Sequence, residues 1–169
     1  MKKPKVYIAL SLSHVKSEEE KQTVRDILAW LASRFNIDLL QWAFDVVTWQ
    51  PRPVENIYIF DRSQMFLADL VIVLFLSSDG SDGRGAELVL RCEAGLPIIA
   101  AAKEGVKISR FPLDCLQDFG VEVIRFEAFQ ELGPLIDSTL ARINIVKRQE
   151  PIAVDSGFDL FDLSPSEKQ

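Results

Sequence analysis

Seven consecutive residues, Leu70-Val71-Ile72-Val73-Leu74-Phe75-Leu76, are apolar without a break. A strand with one wet face alternates apolar and polar side chains. A strand buried on both faces reads as a continuous apolar run, which is the signature of a parallel sheet covered by helices on either side. Asp69 before the run and Ser77 after it mark its ends.

The rest of the chain alternates in the way such a sheet requires. Residues 6–10 are a short β-rich run. Ser17 then precedes Glu18-Glu19-Glu20, a helix start with an N-cap hydroxyl and acids in the first turn. Val24, Ile27, Leu28, Leu31 and Phe35 keep helical spacing behind it. A second apolar run spans 38–48 and is closed by Pro51-Arg52-Pro53. The pattern predicts a helix over 54–67, another over 85–93 ended by Gly95 and Pro97, strands over 96–102 and 121–126, and a last amphipathic helix over 128–146. Five strands joined by helical crossovers define a doubly wound, mostly parallel five-stranded α/β sheet with helices on both faces, of the Rossmann or flavodoxin kind. Ligands of such sheets lie beyond the carboxyl ends of the strands, at the switch point. The loops to watch follow Leu10, Leu76 and Ala102.

At 169 residues the chain has room for one domain, here 1–149, and a tail over 150–169. Nineteen Lys and Arg against 25 Asp and Glu give a formal charge of −6. That balance argues against gripping a nucleic acid polymer. The tail holds five acids (Glu150, Asp155, Asp159, Asp162, Glu167) and Lys168, so most of the net charge sits there. Its composition reads either as disordered or, given Phe158, Leu160, Phe161 and Leu163, as a segment that docks on a partner subunit or folds back. No segment is apolar for long enough to span a bilayer or to form a signal core, so the expected location is the cytoplasm. One histidine, His14, and two cysteines, Cys92 and Cys115, fall short of a zinc site, and no metal or cofactor is expected. The cysteines read as buried thiols, with Cys92 a packing residue. Any catalysis then falls to carboxylates.

The stretch from Asp61 to Glu87 carries the chemistry. Gly80, Gly83 and Gly85 let the backbone turn tightly beyond the apolar strand, Ser77, Ser78 and Ser81 supply hydroxyls, and a helix N-terminus follows. This suits a phosphate or a ribose, although neither the Walker A pattern nor G-x-G-x-x-G is met. Glu87 falls in the first turn of that helix, where it either complements the dipole or faces the cleft. Asp61 alone reads as an exposed helix acid, and Asp69, at the far end of the strand, as structural.

Taken together, the motifs resemble the nucleoside 2-deoxyribosyltransferase superfamily, which includes the 2'-deoxynucleoside 5'-phosphate N-hydrolases. The matching residues are Tyr7 in Val6-Tyr7-Ile8-Ala9, Asp61 eight residues before Asp69 in Ala68-Asp69, Ser81-Asp82-Gly83-Arg84-Gly85-Ala86-Glu87, and Gly95-Leu96-Pro97-Ile98-Ile99. They cover roughly residues 5–125. The resemblance implies cleavage or transfer at the N-glycosidic bond of a (deoxy)nucleoside or its monophosphate. It makes Glu87 the nucleophile, Asp61 the acid that assists base departure or orients the sugar, and Tyr7 the aromatic that positions Glu87. Ser11 would contact phosphate, and Ser81, Gly83 and Gly85 would bind the substrate through its phosphate, its ribose or both. A homo-oligomer, dimer or higher, is also implied. The loop after the first strand lacks the family's Arg, so His14 or Lys16 either substitutes for it or is solvated surface. Trp42, Phe44 and Trp49 stand where the family often stacks the base, although aromatics there are more often core than base platform. The competing reading is a catalytically inactive nucleotide-sensing or partner-binding domain of the same fold. A phosphoribohydrolase or NAD-cleaving relative is weaker, since P-G-G-x-G-T is missing.

Overall fold

The computed structural model describes residues 2–10, 15–77 and 91–149, the last five as backbone. Strand β1 (Lys5–Ala9) leads into helix α1 (Glu18–Arg34) and the two-residue strand β2 (Asp38–Leu39). A small hairpin of β3 (Phe44–Asp45) and β4 (Gln50–Pro51) follows, then α2 (Ile57–Leu67), β5 (Leu70–Phe75) and β6 (Ile98–Lys103). Helix α3 (Arg110–Asp118), β7 (Val123–Phe126), a 3₁₀ turn (Phe129–Leu132) and α4 (Gly133–Gln149) complete the described chain.

The main sheet has the order β2-β1-β5-β6-β7 with every pairing parallel. This is the doubly wound α/β arrangement that the apolar run implies, in flavodoxin-like order with the switch between β1 and β5. All six residues of β5 are buried. Its bulky Leu74 and Phe75 stand opposite Ala101 and Ala102 of β6, a large-to-small match that fills the layer without strain.

The helices obey their end signals. Ser17 accepts a hydrogen bond from the Glu20 N–H while the Glu20 carboxylate accepts from the Ser17 N–H, a complete capping box. Val24, Ile27 and Leu31 of α1 face the core. Helix α2 starts three residues later than predicted because Asn56 caps it through the Ile59 N–H. Strand β6 starts two residues late, after Pro97, whose missing N–H cannot join the ladder. Helix α3 went unread in the sequence. It carries Pro112 in its first turn and is flanked by Gly105 and Gly120, both at positive φ, so its surroundings look like a loop. The apolar run over 38–48 yields two residues of strand and then the hairpin. Trp49 closes that turn at φ 58, held edge-on to Phe44 with Lys21 and Arg25 over its ring.

Residues 91–93 are helical, and the Gly95 N–H donates to the Cys92 carbonyl in a left-handed C-terminal turn at φ 63. Arg91 is wholly buried there, at 0% exposure. Its guanidinium donates to the carbonyls of Met65 (2.9 Å), Ala68 (3.1 Å) and Pro97 (3.3 Å). The Asp69 carboxylate lies near enough to favour its charge, while burial pulls its pKa down to about 10. Arg91 is therefore cationic at neutral pH. Replacing it with Met removes three hydrogen bonds from the core and leaves the buried Ala68 carbonyl without the donor that Arg91 supplies. Urea unfolding of Arg91→Met should show a loss of about 3–5 kcal/mol, the cost of breaking a buried charged network. A loss below about 1 kcal/mol, within the range of exposed pairs, would remove Arg91 from this role.

Candidate functional site

Topology puts the candidate site where β1 and β5 diverge. Their carboxyl ends, the hairpin after β2, and the starts of α1 and α2 share one edge of the sheet. Tyr7 lies within β1, buried at 4% exposure and paired in register with Val71 of β5. Asp61 lies one turn into α2 and is half-buried.

A short relay of hydrogen bonds ties Asp61 to β1 at Ile8, next to Tyr7. Carbonyls of alternate β1 residues point at β2, and Val6 receives the Leu40 N–H at 2.9 Å. The carbonyl of Ile8 extends past the end of the two-residue β2, so no strand partner is left for it. The Trp42 indole N–H takes that place at 2.6 Å. The next residue, Ala43, donates its N–H to Asp61 Oδ1 at 2.7 Å, and its carbonyl accepts from the Arg52 N–H at 2.9 Å. Asp61 is thus joined through Ala43 and Trp42 to the residue that follows Tyr7. Trp42 is buried and its indole is committed to this bond, which makes it a structural wedge. Phe44 and Trp49 pack on each other rather than standing as an open platform.

Burial raises the Asp61 carboxyl above the usual aspartate value, and the Ala43 N–H, which favours the anion, opposes that shift. The net shift of this carboxyl, at the carboxyl edge of β1, is upward. That is the property a general acid needs, although Asp61 also has a structural duty. Asp69 behaves as the sequence reading has it. Its Oδ2 accepts the Lys5 N–H at 2.7 Å, and its own N–H donates to the Lys5 carbonyl at 2.8 Å, locking β1 to β5 at the amino end.

Glu87, Ser11, His14, Ser81, Gly83 and Gly85 lie outside the described residues, as does the tail over 150–169. Cys92 and Cys115 are both buried, as read, and their thiols are within hydrogen-bonding contact. Burial raises both, Cys92 to about 11, which keeps them protonated and inert. Among the described residues no three His, Cys, Asp or Glu side chains cluster to hold a metal, and no helix is long and apolar enough to cross a membrane. The sequence reading missed Arg91 and the Trp42 bond. A signal for the first was present: a lone cation in Leu88-Val89-Leu90-Arg91-Cys92, within a predicted helix beside an apolar strand.

The fold and switch point define a flavodoxin-like α/β domain, and the comparisons agree. No protein-family model matches the chain, and no curated protein sequence does. Several solved structures share its fold. The solution structure of BlsM matches with a TM-score of 0.55 at 13% identity, covering 90% of this chain and 98% of BlsM. A conserved protein from Enterococcus faecalis V583 matches at 0.54 and 14%, covering 85% and 99%. A signal receiver domain from Vibrio parahaemolyticus matches at 0.54 and 12%, covering 88% and 98%. At such identities the likeness concerns the fold.

Asp61→Asn keeps an acceptor for the Ala43 N–H and removes the titration, whereas Asp61→Ala leaves a buried N–H unpaired. Chemical denaturation should show Asp61→Ala less stable by about 1–3 kcal/mol and Asp61→Asn near wild type. Because the folded-state pKa is raised, the native protein binds this proton more tightly than the unfolded chain. This carboxyl therefore lowers stability as pH rises through the carboxylate range, and Asp61→Asn should remove that part of the slope. Equal stability of the two variants at neutral pH would contradict the assignment.

Proposed function

We propose that the chain breaks or transfers the N-glycosidic bond of a (deoxy)nucleoside or nucleoside monophosphate. The observation that carries this reading is the relay joining Tyr7's strand to a half-buried Asp61 of raised pKa at the carboxyl edge of β1. Combined with the motif order that resembles the nucleoside 2-deoxyribosyltransferase superfamily, it gives each group a task. The Glu87 carboxylate attacks the anomeric carbon as the bond to the base breaks. Asp61 gives its proton to the departing base, and Tyr7 orients Glu87. Water or a second base then attacks the glycosyl-enzyme ester and frees Glu87. Ser11 and His14 meet the 5' end of the substrate, and Ser81, Gly83 and Gly85 line the sugar.

The same reading puts the protein in the cytoplasm as a homo-oligomer. Support for the second copy comes from α2, where Ile57, Tyr58, Ile59, Phe66 and Leu67 are all exposed although the helix is largely apolar. Inert, reduced thiols at Cys92 and Cys115 fit a reducing compartment.

The test is to incubate the protein with a panel of nucleosides and deoxynucleotides and follow free base by chromatography. Glu87→Ala should lower release by about a thousandfold or more, and Asp61→Asn by about 10²–10⁴-fold. The wild-type rate should fall at the pH where Asp61 loses its proton, above the ordinary aspartate value, and this basic limb should vanish in Asp61→Asn. Binding of nucleotides without release of any base would favour the inactive sensing domain instead.

A further inference from the structure

At the amino edge of the sheet, opposite the candidate site, lies a cavity of about 320 Å³ that the proposed chemistry does not use. Lys2, Lys3 and Arg34 rim it, Phe35 and Leu140 contribute a buried apolar floor, and Asp137 is paired with Arg34 at 2.9 Å. Three cations against one carboxylate leave the cavity positive. Lys2 and Lys3 are exposed, and among the described residues neither has an anionic partner.

The topology says what is at hand to fill it. Strand β7 runs toward the carboxyl edge, so α4 returns to the amino edge, and Asn144 of α4 itself lines the cavity. The helix ends at Gln149, five residues or about 7.5 Å further on. The residues that follow carry the opposite charge, and within them Phe158-Asp159-Leu160-Phe161-Asp162-Leu163 repeats an aromatic, an acid and an aliphatic. Eight residues lie between Gln149 and Phe158, an extended reach of up to about 30 Å, ample to turn back on the cavity.

We propose that the segment 158–163 docks in cis over this cavity of its own chain. Phe158 and Phe161 cover Phe35 and Leu140, while Asp159 and Asp162 meet Lys2, Lys3 and the outer face of Arg34. Apolar contact supplies the affinity and the charges set the register. Tethering makes the encounter intramolecular, so even weak contacts suffice.

Carbodiimide cross-linking of the full-length protein tests this, because it joins a lysine amine to a carboxylate only where the two touch. An equal mixture of light and isotopically heavy protein is treated, digested and read by mass spectrometry. Links from Lys2 or Lys3 to Asp159 or Asp162 should appear within single-label peptides, with a yield independent of protein concentration. The double variant Phe158→Ala/Phe161→Ala keeps every carboxylate and should lower that yield about tenfold or more, the effect of withdrawing two buried aromatic anchors. Arg34→Glu should lower it as well. Mixed-label links would assign the segment to a second copy and overturn docking in cis. Absence of the links, or a yield unchanged in the double-alanine variant, would overturn docking altogether. None of these substitutions touches Asp61 or Glu87, so the outcome is independent of whether base release is seen.

Discussion

A buried arginine holds the second half of this fold together. Burying a charge in a core of aliphatic side chains is costly unless its hydrogen-bonding capacity is met. Arg91 meets most of it with backbone: the carbonyls of Met65 and Ala68 at the end of α2 and that of Pro97 at the entrance to β6. Helix ends leave carbonyls short of donors, and the Pro97 carbonyl, which already accepts the Val71 N–H, has a second lone pair to offer. A single planar fork answers all three, with Asp69 close by to favour its charge. Its Nε remains without a partner, so the match is incomplete. Asp69 in turn is the residue that locks β5 to Lys5 of β1. The helix that begins at the candidate site and the strands that diverge there are thereby pinned at the opposite edge.

That anchorage matters at the other end of α2, where Asp61 sits. A carboxyl that is to hold a proton must be kept from full solvation, and one that is to deliver it must be held in position. The end of α2 bound by Arg91 and the Ala43 N–H bound by Asp61 constrain the same helix from its two ends. The relay through Trp42 exists because β2 is too short to reach Ile8. An indole N–H does the work of a missing strand residue, and the loop it anchors presents Ala43 to Asp61. A short edge strand is thus the structural cause of the site's shape.

The sheet was plainly legible in the sequence, because a strand buried on both faces has no polar position at which to disguise itself. The same holds for α1, whose cap and acidic first turn are local chemistry. Legibility failed where tertiary context overrides local preference. Helix α3 forms despite Pro112 and flanking glycines, since Cys115 and Leu116 bury a face that the loop-like surroundings conceal. The run over 38–48 has strand composition but spends it on Trp42 packing and a hairpin whose turn Trp49 takes at positive φ. Asp61 became a candidate through the family resemblance, by its spacing to Asp69, which is a one-dimensional signal. What raises the Asp61 carboxyl is the burial around it, opposed by a backbone N–H 18 residues away, and neither leaves a trace in spacing.

Charge is also divided along the axis of the sheet. Lys2, Lys3 and Arg34 gather at the amino edge, where α1 ends and β1 begins. A cation in the last turn of a helix stabilises the dipole's negative end, so Arg34 has a local reason to be there. The two lysines have no such reason: they precede β1 and lie outside every described helix. The acids of the C-terminal segment are equally unexplained by the domain itself, whose own 149 residues are close to neutral. The two surpluses have opposite signs, and the docking proposed for 158–163 would bring them together at the amino edge.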